Sequence, residues 1–138
     1  MNPTMSVEFC ITGLSITPEE ITRVIGITPT KTWLLGESIQ KTELRRKHNG
    51  WCISTAAEVI SLEETARHIL DLLLPKERTI NELCSKHDLH RELSCAIYLV
   101  DEAPEINFSR DVIIGLSRLG ATVDIDIILT ARNARRVI

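Results

Sequence analysis

Apolar and polar side chains alternate over residues 7–12, with Val7, Phe9 and Ile11 on one side and Glu8, Cys10 and Thr12 on the other. That two-residue period marks a half-buried strand, and Gly13 ends it. Thr17-Pro18-Glu19-Glu20 then opens a helix. Thr17 caps, proline suits the first helical position, and Glu20 completes a capping box. Ile21, Val24 and Ile25 supply the buried stripe and Gly26 the stop. Pro29 keeps the next residues extended, and residues 32–35 read as a short second strand. The polar stretch 37–49 reads as an exposed hairpin loop, returning through Gly50 into a third strand at Trp51-Cys52-Ile53-Ser54.

The clearest helical spacing follows Ser61-x-x-Glu64, where Leu62, Ala66, Ile69, Leu70 and Leu73 share a face until Pro75 stops it. Thr79-x-x-Glu82 starts a shorter helix toward His87. Leu93, Cys95, Ile97 and Leu99 line one side of a further strand. Ser109 caps a helix with Val112, Ile113, Leu116 and Leu119 inward, Gly120 ends it, and residues 122–129 form the last strand. The order β-α-β-β-α-α-β-α-β predicts an α+β fold, one mixed sheet with helices packed on a face. Segment 21–28 echoes segment 116–122 with one residue dropped. The echo reads equally as an internal β-α-β duplication and as local convergence of helix-glycine-strand junctions.

Length and composition narrow the class. A chain of 138 residues is one domain, 1–138, with 1–5 and 131–138 expected as flexible ends. Hydrophobic residues at 43% and charged residues at 25% fit a globular chain and speak against disorder or coiled coil. Sixteen Lys and Arg against nineteen Asp and Glu give a net charge of −3, too slight to advertise nucleic acid or an anionic membrane. The apolar-rich run 69–74 is far short of the roughly 20 residues that span a bilayer. Residues 1–6 lack the basic and apolar regions of a secretory signal. A cytoplasmic protein is expected, with Cys10, Cys52, Cys84 and Cys95 as reduced thiols.

Phe9-x-Ile11-x-Gly13, Pro18-Glu19-Glu20-Ile21-Thr22, Gly26-Ile27-x-Pro29-Thr30 and Gly36-Glu37 resemble the opening of a bacterial family, domain of unknown function 4279. The likeness continues at Arg46 with Gly50-Trp51-x-Ile53-Ser54 and ends with Leu119-Gly120-Ala121 and Asp124-Ile125-Asp126. It covers nearly the whole chain, although residues 74–88 match nothing in it. The resemblance implies a small single-domain bacterial protein with no established reaction, and it carries over no catalytic residues. Similar small orphan domains sit near toxin genes as candidate immunity proteins.

Asp124 and Asp126 are the sharpest chemical signal. Two positions apart on a strand, they project to one face while Val123, Ile125 and Ile127 take the other. Carboxylates that close repel unless a cation lies between them. The cation could be a divalent metal, with Asp101, Glu102 and Glu105 as the supply of further oxygens, or an arginine of the 45–46 loop or the tail. A solvated strand face and an acidic contact surface for a partner are the other readings. Trp33 and Trp51 flank the polar loop, where cross-strand packing would bring them together under Arg45 and Arg46. Such a group could hold an anionic or planar ligand, or be simple packing.

Cys84-x-x-His87-x-x-His90 has metal-like spacing, but His90 falls on another side of a helix and no fourth ligand is spaced to close a zinc site. No GxSxG, Walker, dinucleotide or HExxH motif is present. The basic stretches 41–48 and 132–136 read as solvated segments.

The leading expectation is a non-enzymatic protein-binding module of toxin-immunity type, with Trp33, Arg45, Arg46, Trp51, Asp124 and Asp126 as its surface. It requires no cofactor and no metal. The competing expectations are a sensor of anionic small molecules in a Trp/Arg pocket, and a divalent-metal enzyme using Asp124 and Asp126. Neither a membrane nor nucleic acid is expected as partner, and the oligomeric state is open.

Overall fold

The computed structural model describes residues 5–55, 61–99 and 104–129. The elements run β1 (Met5–Gly13), α1 (Pro18–Ile25), β2 (Lys31–Trp33), β3 (Asn49–Ser54), α2 (Leu62–Leu73), α3 (Glu77–His87), β4 (His90–Leu99), α4 (Arg110–Arg118) and β5 (Thr122–Leu129). A 3-10 turn, Leu74–Lys76, joins α2 to α3. This is the α+β order the periodicity predicts. The strands form one mixed sheet ordered β2-β3-β1-β4-β5, antiparallel throughout except for the parallel pair β4–β5.

Local chemistry sets most helix ends. The Thr17 hydroxyl accepts from the Glu20 N–H at 3.3 Å, and Gly26 ends α1 in the left-handed region at φ 77°. The Glu20 carboxylate turns to Arg23 at 2.7 Å instead of closing the box. Ser61 accepts from the Glu64 N–H at 2.9 Å, and Ser109 from the Val112 N–H at 3.3 Å. The start of α3 differs from expectation. Pro75 is the second residue of the 3-10 turn, which runs straight into the helix at Glu77, so Thr79 lies inside it and no side chain caps it. β2 is also shorter than expected, and β4 begins earlier, at His90.

Alternation places Phe9, Ile11, Trp51, Ile53, Leu93 and Ile97 on one side of the sheet, in a core shared with Ile21, Ile25, Ile69, Leu73, Ile80 and Leu116 of the helices. Each such burial stabilises the fold by about 1.5–3 kcal/mol. α4 is the exception to the expected inward stripe: Val112, Leu116 and Leu119 are buried, but Ile113 is 56% exposed. α4 packs toward α2, with Gly115 against Leu70, and this turns Ile113 outward.

Polar ties lock the helices together. Arg91 Nη1 donates to Asn81 Oδ1 at 2.9 Å and to the Leu119 carbonyl at 3.1 Å, while Asn81 Nδ2 donates to the Arg118 carbonyl at 2.8 Å. Arg118 grips Glu77 with two hydrogen bonds of 2.7 and 2.8 Å. The sequence echo is confined to two helix ends, which share a left-handed glycine (Gly26 and Gly120). Beyond them the units diverge, because β1 and β2 are separated by β3 whereas β4 and β5 pair directly.

Candidate functional site

Among the described residues no helix packs on the other side of the sheet. The register lines that open side with Lys31 and Trp33 of β2, Gly50, Cys52 and Ser54 of β3, and Glu8 and Cys10 of β1. Glu92 and Ser94 of β4 and then Asp124 and Asp126 of β5 complete it. Its basic groups gather at the β2 margin and its acids increase toward β5.

Trp33 lies on the open side, its ring flat over Gly50, where any side chain would collide with it. Arg46 stacks above, its guanidinium carbon 4.0 Å from the ring centroid, and Lys31 Nζ is 5.2 Å away. Trp51 does not join them. Trp33 pairs with Gly50, and Trp51 pairs with Thr32, so the two tryptophans point to opposite sides of the sheet. Trp51 is fully buried in the helix-side core, with Nε1 donating to Thr22 Oγ1 at 3.0 Å. Arg45 is exposed and donates to the Gly36 carbonyl at 3.2 Å, holding the loop. The expected four-residue pocket therefore reduces to Trp33 under Arg46.

Asp124 and Asp126 project together to the open side, opposite Ser94 and Ala96, and both are exposed. Among the described residues no third acid, histidine or cysteine joins them in a metal-sized group. Asp101 and Glu102, named as further ligands, lie outside the described residues, as does the basic tail 132–136. Ser94 Oγ donates to Glu92 Oε2 at 2.7 Å, while His90 Nε2 stands 3.7 Å from the other oxygen. The serine is thus bonded to the carboxylate and not to the imidazole, which is not the order that activates a nucleophile.

The opposite side of β5 carries Val123, Ile125 and Ile127, as the alternation predicts, and it is exposed as well. These side chains are 39–52% exposed, and Leu129 extends the row. β5 is the edge strand, beyond the cover of α4. A groove of about 280 Å³ between α4 and β5, lined by Phe108, Ile113, Leu116, Ala121 and Val123, continues this apolar row.

The cysteines divide into two kinds. Cys10 and Cys52 face each other across β1 and β3 with Cα atoms 4.2 Å apart and are joined by a disulfide, where reduced thiols were expected. Their sulfurs and the Glu8 carboxylate lie within 4.8 Å of one another. Cys84 and Cys95 are free thiols in the core, and burial pushes both up to about 11. Cys84, His87 and His90 do not converge. Cys84 is in the core, His87 Nδ1 is 3.5 Å from Ser15 Oγ, and His90 lies on β4 beside Thr122. Sequence spacing pointed to this trio and missed the Glu8–Cys10–Cys52 group; a Glu-x-Cys alternation was its only local signal.

No helix among the described residues is long and apolar enough to cross a membrane. A protein-family model described as Domain of unknown function (DUF4279) matches residues 3–130. No curated protein and no solved structure matches the chain.

Proposed function

The chain belongs to the DUF4279 family of unknown function, and on that premise we propose that it is a non-enzymatic, cytoplasmic protein-binding module that receives its partner along β5. One observation carries this reading. β5 is an edge strand whose two sides are both exposed and chemically distinct, with Asp124 and Asp126 on one and Val123, Ile125 and Ile127 on the other. An extended segment of a partner that alternates basic and apolar side chains complements both sides at once. Its backbone adds a strand, its cations meet the two aspartates, and its apolar residues cover the row beside α4. A toxin domain is the partner class suggested by the immunity-type reading.

The test uses two short synthetic peptides, one alternating lysine with valine and one alternating glutamate with valine. Fluorescence anisotropy should show binding of the lysine peptide alone, weakening as salt is added. The double variant Asp124→Asn/Asp126→Asn should lose most of that binding, and Ile125→Lys should lose it as well. Equal binding of both peptides, or an unaffected double variant, would overturn the proposal.

A further inference from the structure

The Cys10–Cys52 pair sits in the middle of the open sheet side, on β1 and β3, with β4 between it and the β5 margin. Cys10, Cys52 and Trp33 form a small buried cluster of their own. Along β3 the cluster is closed on one side by the Trp33–Gly50 stack. On the other it meets half-buried Glu8, which lies opposite Ser54 and reaches Lys31 at 3.6 Å. The three potential donor atoms are close enough to share one ion.

We propose that the reduced Cys10–Cys52 pair, together with Glu8, is a binding site for a thiophilic divalent cation, zinc being the best match. Two thiolate sulfurs select a borderline-soft metal over calcium or magnesium. Directly opposed cysteines on neighbouring strands present both sulfurs to the same point, and small side-chain rotations open them to the spacing a tetrahedral ion with Zn–S bonds of about 2.3 Å requires. Two thiolates and one carboxylate bring three negative charges, of which the ion neutralises two and Lys31 offsets the third. Three protein ligands leave a fourth position open, as in zinc sites that exchange a ligand.

The disulfide is the closed state of the same site, since sulfurs bonded to each other have no thiolate to offer. Opening it needs a thiol reductant: two R–SH are oxidised to one R–S–S–R while the protein disulfide becomes two thiols. Binding then releases the two thiol protons as Zn²⁺ takes their place. Cys84 and Cys95 stay outside this chemistry because they lie in the helix-side core.

The experiment titrates reduced, metal-free protein with Zn²⁺ against a chromogenic chelator and repeats it with Co²⁺, whose absorption reports thiolate ligation. Reduced wild type should take up one ion per chain, with thiolate-to-cobalt absorption, and should bind more weakly as pH falls. The oxidised wild type should take up none. Cys10→Ser and Cys52→Ser should each abolish the cobalt–thiolate signal of a pair, and Glu8→Gln should weaken zinc by about tenfold or more. Cys84→Ser should bind as wild type does. The proposal is overturned if reduced wild type takes up no ion, if the oxidised form takes up as much, or if uptake depends on Cys84. Comparing the two redox forms of wild type keeps the test decisive even where a serine variant fails to fold.

Discussion

A single atom decides how the open side of the sheet is built at Gly50. The Trp33 ring occupies the space where a Cβ at this position would project, and Arg46 holds the ring from above. Gly50→Ala should therefore lift the ring and cost about 1–3 kcal/mol, the range for overpacking a closed site. Chemical denaturation measures the loss, and a red-shifted tryptophan emission should accompany it. Glu63 makes a second residue-scale case. Burial raises its carboxyl, but hydrogen bonds from the Ser109 N–H at 2.7 Å and from Arg67 at 2.6 Å outweigh burial and hold it below its ordinary value. A depressed folded value means the stabilisation is fully present above the usual glutamate range, near about 4.3, and is lost as pH falls through the lower folded value. Glu63→Gln should thus be less stable than wild type by about 1 kcal/mol at neutral pH. That gap should close in acid, and a difference constant from neutral pH into acid would refute the assignment.

At the scale of elements, what was legible in the chain was local. Caps at Thr17, Ser61 and Ser109 and the strand period of residues 7–12 each depend on neighbours within a turn, and the structure has them where they were read. What was not legible depends on partners far along the chain. Ile113 has the spacing of a core residue, yet α4 rotates it outward to bring Gly115 against Leu70. Trp51 and Trp33 flank the same loop, yet a one-residue offset in the β2–β3 register puts them on opposite sides. Cys52 finds Cys10 across 42 residues only through the β1–β3 register. Arg91 belongs with these. Its sequence position on β4 gives no hint that it caps α4, but it donates to the Leu119 carbonyl and to Asn81, which in turn holds the Arg118 carbonyl. A cation at the negative end of a helix, with its hydrogen bonds largely out of water, stabilises more than an exposed ion pair does. Arg91→Met should cost about 1.5–3 kcal/mol and speed amide exchange in the last turn of α4. Exchange unchanged there, with the loss spread over the whole domain, would assign Arg91 a packing role only.

Over the whole molecule, a net charge of −3 conceals a gradient across the open side of the sheet, from Lys31 and Arg46 at the β2 margin to Asp124 and Asp126 at β5. The two margins are not equivalent. β2 is three residues long, too short to template a partner strand, and its open-side residues Lys31 and Trp33 are engaged in the Trp33 stack. β5 is eight residues long, with an apolar row beside it. Long apolar edge strands pair with their own copies unless something prevents it, and charged side chains are the common safeguard. Asp124 and Asp126 fit that role. In an antiparallel β5–β5 contact they would be brought near the same residues of the second copy, and the repulsion would act against closure. The pair would then serve two ends, keeping copies apart and admitting a basic partner strand. Asp124→Asn/Asp126→Asn removes the repulsion while keeping the side-chain shape. Sedimentation velocity over a concentration series should show this variant associating at concentrations where wild type does not, and the association should resist added salt because apolar burial drives it. Ile125→Lys introduced into the double variant should restore the wild-type behaviour. If the double variant sediments like wild type throughout the series, the aspartates are not what guards this edge.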